Sequence, residues 1–212
     1  VLAHHRVSRR EARDRAIDAL AKVGIPEPVQ RYGAYPHQLS GGMRQRAMIA
    51  IALVCEPRLL IADEPTTALD VTVQAQIMDV LGELCSRLGM AMLFITHDLG
   101  LVSETCSRLV TMYAGEVVEQ GSVENVLIRP RHPYSSGLLR SLPSLSPRKS
   151  ALPAIKGRVP PVRNMPAGCR FQPRCLHAQA KCELPQILGR TESNGEVRCC
   201  RSEEIRLAGV LA

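Results

Sequence analysis

At 212 residues, 45% hydrophobic and 22% charged, the chain has the composition of a folded globular protein, with room for one sizeable core and an appendage. It has no Trp and only two Phe, which argues against single-stranded nucleic-acid binding by base stacking. The formal charge of +7 is uneven: residues 1–142 balance 15 Lys/Arg against 15 Asp/Glu, whereas residues 143–212 hold 12 against 5, a basic tail open to anionic lipid, nucleic acid or an anionic cofactor.

The opening Val1-Leu2-Ala3-His4-His5-Arg6 has no apolar signal core. The longest apolar run, Ala47 to Cys55, falls well short of the roughly 20 residues that a spanning helix needs. Both features predict a cytosolic chain, and the initial Val predicts further residues upstream. Ser8 and Glu11 form a capping-box pattern, followed at helical spacing by Ala12, Ala16, Ile17, Leu20 and Val23, with Gly24 as the stop. Pro26 and Pro28 open a loop to Gln38. A second helix starts at Gly41-Gly42, carries Met43 to Val54 and ends before Pro57.

Leu59-Leu60-Ile61-Ala62 then reads as a buried parallel strand that ends on two acids, Asp63 and Glu64. A helix over 71–88 places Val73, Ile77, Val80, Leu81, Leu84 and Leu88 on one face before Gly89. Met90 to Thr96 reads as another buried strand, ending at His97. This alternation predicts an α/β layer with a parallel sheet. Leu109–Tyr113 and Val117–Gln120 read as strands or a hairpin around Gly115-Glu116, and short helices follow near 123–128 and 134–142. Six prolines in 143–166 predict an extended linker, which divides residues 1–142 from a small Cys-containing extension at 167–212.

Three stretches carry chemistry. In Leu39-Ser40-Gly41-Gly42-Met43-Arg44-Gln45-Arg46, a hydroxyl and closely approachable backbone N–H groups open a helix, which suits a phosphate; a simple helix start has the same look. In Leu60-Ile61-Ala62-Asp63-Glu64-Pro65, one acid at a strand end can hold Mg²⁺ and its neighbour can orient or deprotonate water; a helix cap or solvated loop is the plainer alternative. In Ile95-Thr96-His97-Asp98, a His at a strand end can contact a phosphate, or be structural.

Order and spacing together resemble the ABC ATPase family over about residues 8–130. Leu39 to Arg46 looks like its signature motif, Leu60 to Pro65 its Walker B strand, Thr67-Ala68-Leu69-Asp70 its D-loop and His97 its switch histidine. The resemblance implies ATP and Mg²⁺ as cofactors. Asp63 would support Mg²⁺, and Glu64 and His97 would be catalytic. Ser40, Gly41, Gly42 and Gln45 would clasp the ATP of a second ABC ATPase subunit, and Asp70 would communicate across that dimer. No Gly-x-x-x-x-Gly-Lys-[Ser/Thr] occurs, so the implied fold is a partial P-loop NTPase, the chain reads as a C-terminal fragment, and alone it is expected not to hydrolyse ATP.

Tyr35-Pro36-His37-Gln38, Tyr113-Ala114-Gly115 and His132-Pro133-Tyr134 resemble the dipeptide, oligopeptide and nickel importer branch. That branch implies a motor docked on membrane permease subunits at the cytoplasmic face of the inner membrane, served indirectly by a solute-binding protein, with no nucleic acid expected. A non-transport ABC ATPase acting on nucleic acid or the ribosome, and a degenerate half-ATPase with a metal-binding tail, are the alternatives.

Of eight cysteines, Cys55, Cys85 and Cys106 read as packing thiols in helices, and five crowd the last 44 residues. Four thiolates can ligate a [4Fe–4S] cluster or Zn²⁺, and the wide spacing of Cys169, Cys175, Cys182 and Cys199 leaves cluster, zinc and unliganded thiols open. The importer resemblance implies an iron–sulfur cluster on those four. Cys199 is preferred to Cys200 by its Val-x-Cys context, and His177 is a further candidate. Arg170, Arg174 and Lys181 would offset an anionic cluster or simply be solvated.

Overall fold

The computed structural model describes residues 1–67, 69–142 and 153–210. The chain forms two compact units, Val1–His97 and Asp98–Ala212.

In the first unit, helix α1 (Arg9–Lys22) is capped by Ser8, whose hydroxyl accepts from the Glu11 N–H at 3.1 Å. The Glu11 carboxylate completes no capping box, because it turns to Arg15 one turn on, at 2.7 Å. The loop expected from Pro26 to Gln38 contains a short helix α2 (Pro28–Arg31) and a 3₁₀ turn at Pro36–Gln38. Both begin on proline, whose fixed φ suits a first helical position. Helix α3 (Gly41–Leu53) starts at N-cap Ser40. Strand β1 (Leu59–Asp63) leads to helix α4 (Val71–Leu88), which Asp70 opens and Gly89 closes at φ +60°. Strand β2 (Ala91–Ile95) pairs parallel with β1, from Leu59 opposite Ala91 to Asp63 opposite Ile95. Ile77, Leu81 and Leu84 are fully buried along one stripe of α4.

The two strands are not buried on both faces, as their apolar runs had suggested. Leu60 and Ala62 are buried, whereas Ile61 is 61% and Leu93 50% exposed. Side chains alternate across a sheet, and this two-stranded sheet is covered on one face only among the described residues.

In the second unit, Asp98 caps a seven-residue helix α5 (Leu99–Thr105) that the sequence reading left unassigned. Strands β3 (Arg108–Tyr113) and β4 (Glu116–Ser122) form the expected hairpin, turned by Ala114 and Gly115 at positive φ. Helices α6 (Val123–Ile128) and α7 (Pro133–Arg140) follow. Val123, Leu127 and Leu139 join Val102 of α5 in one cluster. The Cys-containing extension belongs to this same unit. Its short strands β5 (Gly189–Arg190) and β6 (Glu196–Val197) extend the hairpin to the order β3-β4-β6-β5, with Glu119 opposite Val197. A second cluster is aromatic: Phe171 stands edge-on to Tyr113 at 5.2 Å, and Tyr134 lies 4.7 Å from Tyr113. Of the expected Pro-rich linker, residues 143–152 lie outside the described residues. Beyond them Ile155 packs against the aromatic cluster, so the described part is tied down.

Part of the basic excess of the tail is spent on this unit. Arg170 pairs with Glu116 at 3.2 Å, and Arg174 donates to the carbonyls of Ile155 and Lys156. Arg198 donates to those of Val117 and Gln186, and Lys181 pairs with Glu204. Arg170, which also donates to the Ala114 carbonyl, and Arg174 therefore stitch backbone segments together as Arg198 does, and Lys181 is held by a carboxylate, roles that neither expectation for them had included. Such charge-assisted bonds to carbonyls satisfy acceptors that irregular backbone leaves open.

Candidate functional site

The first candidate site lies at the C-terminal end of the parallel strands. Asp63 is the last residue of β1, opposite Ile95. Glu64 continues past it with φ +44°, and its N–H donates to the Ile95 carbonyl at 2.9 Å. A positive φ is uncommon for a residue with a side chain. Here it turns Glu64 back over the end of β2, where its Oε1 lies 3.1 Å from His97 Nδ1. Its Oε2 accepts from the Thr67 hydroxyl at 2.9 Å. The Thr67 hydroxyl, and then the His97 ring, hold the Glu64 carboxyl below the usual carboxylate range. Glu64 and His97 are open to solvent, with side chains 46% and 82% exposed, so this pair sets orientation and adds little stability. The arrangement offers an ionised carboxylate aimed by two groups, which is what a base for water requires.

The N-termini of two helices and the turn after Glu64 are linked here. Ser40 Oγ accepts from the Met43 N–H at 3.3 Å, so this hydroxyl already serves as an N-cap. A Cβ on Gly42 would meet Val73 Cγ1 at 3.1 Å, so glycine lets α3 start hard against the first turn of α4. Gln45 donates its amide to the Pro65 carbonyl, which fastens α3 to the turn after Glu64. Its side chain thus reaches the partner motif's backbone, a strut the sequence reading did not foresee for a residue it grouped with Ser40, Gly41 and Gly42. Asp70 Oδ1 accepts from the Val73 N–H at 2.9 Å as the α4 cap. Ala68, in the expected D-loop, lies outside the described residues. Thr67 was missed as a partner of Glu64; a hydroxyl three residues after an acid is the one signal that pointed to it.

The second candidate site is a cavity of about 20 Å³ in the Asp98–Ala212 unit, roughly the space of one water. Cys169, Cys175, Cys182 and Cys199 all line it, with His132 and His177. Cys200 does not, and is exposed. The four thiols converge, but among the described residues no group of three His, Cys, Asp or Glu stands ready to hold a metal ion. Burial pushes up the thiols of Cys169 and Cys175, and takes Cys199 to about 11.

The walls of this cavity are fixed by neighbours that the sequence did not flag. The Cys169 N–H donates to the Cys182 carbonyl at 2.9 Å. Buried Glu119 accepts from the N–H groups of Arg131 and His132 at 2.6 and 3.0 Å, while burial pushes its carboxyl up. His132 caps α7, its Nδ1 accepting from the Tyr134 N–H at 3.0 Å. Gly168 lies so close to this strap that a Cβ would collide with backbone atoms of Cys182 and Glu183. Gly168→Ala is therefore expected to cost about 1–3 kcal/mol, since no flexible side chain can yield. The same change should separate Cys169 from Cys182. A denaturant midpoint equal to wild type would refute the tight packing.

Comparison with known proteins bears on both sites. Residues 1–67 match the family described as ABC transporter, and residues 118–182 match that described as oligopeptide/dipeptide transporter, C-terminal region. The chain is 52% identical over 210 residues to a peptide import ATP-binding protein of Brucella ovis, covering 95% of this chain and 62% of that one. It is 50% identical over 205 residues to the oligopeptide transport ATP-binding protein AppD of Bacillus subtilis, covering 96% and 62%. The chain thus spans about 62% of the length of these relatives. Among solved structures it is similar to cbiO1 from Clostridium perfringens, part of the ABC transporter complex cbiONQ. The identity is 34%, the TM-score 0.52, and 59% of this chain and 49% of that one are covered. The shared fold is the α/β fold of ABC ATPases with its parallel sheet.

Proposed function

We propose a function from one premise: the chain belongs to the ABC transporter family, in the branch that carries the oligopeptide/dipeptide transporter C-terminal region. The whole protein is the ATP-binding and hydrolysing subunit that drives import of peptides, or of a related solute, across the inner membrane. The relatives' identity carries the substrate class, and the Glu64–His97–Thr67 constellation at the strand ends carries the chemistry. Glu64 is the base or orienting carboxylate for the attacking water, and His97 the γ-phosphate contact. Asp63, at the strand end, is the residue to support Mg²⁺, an ion that supplies charge neutralisation between phosphates. Ser40, Gly41 and Gly42 close on nucleotide held by a second ABC ATPase subunit, with Asp70 at the same dimer face. Gln45 holds that signature turn to the Glu64 loop.

Residues 1–142 act as the ATPase part, 143–166 as connector and 167–212 as the Cys-rich extension. The protein works peripherally at the cytoplasmic face, on permease subunits. No helix among the described residues is long and apolar enough to cross a membrane. The nucleic-acid alternative loses part of its support, because Arg170, Arg174 and Arg198 are engaged within their own unit. The test is uptake of labelled oligopeptide into proteoliposomes holding the complete protein with its permease. ATP-dependent uptake lost in Glu64→Gln is expected, and uptake unaffected by removal of this subunit would sink the proposal.

The cysteine cavity supports a four-thiolate metal centre on Cys169, Cys175, Cys182 and Cys199. The soft donor set suits zinc or an iron–sulfur cluster. Such a centre would staple the segments of the extension to one another. Cys199→Ser is expected to abolish metal uptake and Cys200→Ser to leave it unchanged. Metal, iron and acid-labile sulfide analysis after reconstitution reads both variants and separates zinc from cluster; the reverse pattern would reassign the fourth ligand.

A further inference from the structure

We infer that Cys182 and Cys200 are an oxidation site: a thiol pair that closes to a disulfide and withdraws Cys182 from the cavity it shares with three other cysteines. Their sulfurs lie 3.8 Å apart, within hydrogen-bonding contact. The two thiols differ in access. Cys182 is 7% exposed, whereas Cys200 is open to solvent. One can therefore meet a small oxidant while the other waits behind it.

Both backbones are held so that the sulfurs face each other. The Cys182 N–H donates to the Gln179 carbonyl and its own carbonyl accepts from Cys169, both at 2.9 Å. The Cys200 N–H donates to Gln186 Oε1 at 3.2 Å. A disulfide needs the sulfurs about 2.05 Å apart, a closure within reach of side-chain rotation when the thiols already touch. The neighbouring Cys199 is no rival partner for Cys200, because adjacent cysteines close only to a strained ring containing their shared peptide bond.

The oxidant is a small disulfide such as glutathione disulfide. Cys200 sulfur, as thiolate, attacks one sulfur of it, forming a Cys200–glutathione bond and expelling one glutathione thiolate. Cys182 thiolate then attacks Cys200 sulfur, forming the protein disulfide and expelling the second glutathione. The two cysteines are oxidised, the small disulfide is reduced to two thiols, and the protons leave to solvent. Because Cys182 lines the cavity and Cys200 does not, the bond removes one of four wall thiols. The consequence for metal rests on the four-thiolate reading above; the disulfide itself does not.

The test treats the complete, metal-free, reduced protein with glutathione disulfide, alkylates the remaining thiols and maps the digest by mass spectrometry. A peptide pair joined through Cys182 and Cys200 is expected, lost in Cys200→Ser and reversed by dithiothreitol. Both cysteines alkylated, Cys182 joined to Cys199, or Cys200 ending as a glutathione adduct would each overturn the inference. In a second arm, oxidised wild type is expected to lose zinc or iron uptake while treated Cys200→Ser retains it. Metal uptake without the cross-link would sink the inference and leave the metal reading standing. A cross-link in a protein that never takes up metal would do the opposite.

Discussion

Glu64→Gln is expected to lower ATP turnover of the complete protein by roughly 10²- to 10⁴-fold while leaving nucleotide bound, the range lost when a positioned base is removed. Glutamine keeps the size of the side chain and an oxygen for the Thr67 hydroxyl, which now bonds Oε2 at 2.9 Å. What it loses is the charge that His97 faces at 3.1 Å and the capacity to take a proton from water. The expected phenotype is an ATP-filled, closed dimer that does not turn over. Thr67 and His97 hold the carboxyl below its usual range, so the base is ionised above that lowered value and lost only as pH falls through it. The acid limb of the turnover profile should therefore lie below where an ordinary glutamate would put it. Single-turnover hydrolysis within tenfold of wild type would remove Glu64 from the mechanism.

The first unit was legible because its signals are local. Ser8 announces a helix start, the apolar stripe of α4 keeps its period over 18 residues, and Gly89 sits where left-handed backbone is needed. Asp63, Glu64 and His97 were placed by chain order alone, since parallel strands bring their C-terminal ends together. What escaped was how the side chains engage. That Glu64 is aimed by Thr67 depends on a positive φ, and that Gln45 reaches Pro65 depends on how α3 lies, which no period records.

The second unit was harder for a different reason. Strands β5 and β6 are two residues each, too short to carry alternation, and β6 finds β4 across more than seventy residues. Phe171 and Tyr113 meet across a similar distance. Glu119 read as an ordinary strand residue, yet it is 3% exposed and anchors the chain before α7. The four cysteines were found by counting. Their convergence on one cavity comes from that long-range pairing, which also explains why the sequence suggested an appendage where the chain forms one unit with its hairpin.

His132 gives that unit an acid sensitivity with a definite sign. Its ring is 1% exposed, and burial lowers it from 6.5 to about 4. Its Nδ1 must stay unprotonated to accept from the Tyr134 N–H, so the folded chain prefers the neutral ring. The unfolded chain binds this proton below about 6.5, the folded one only below about 4. The stability His132 contributes is thus complete above pH 6.5, falls as pH drops from there to about 4, and then levels. At about 1.4 kcal/mol per pH unit the loss comes to ~3 kcal/mol, a large part of a domain's margin. Glu119 works in the opposite sense, because burial raises its carboxyl and the folded state then takes up a proton first as pH falls. The two oppose each other, and a variant separates them. His132→Asn supplies a side-chain oxygen suited to an N-cap and no titrating group. In urea titrations of the metal-free protein, the difference in unfolding free energy between wild type and His132→Asn should shrink as pH falls from 7 to 4. If that difference stays flat, His132 is not held neutral by the fold, and the acid sensitivity belongs to other groups.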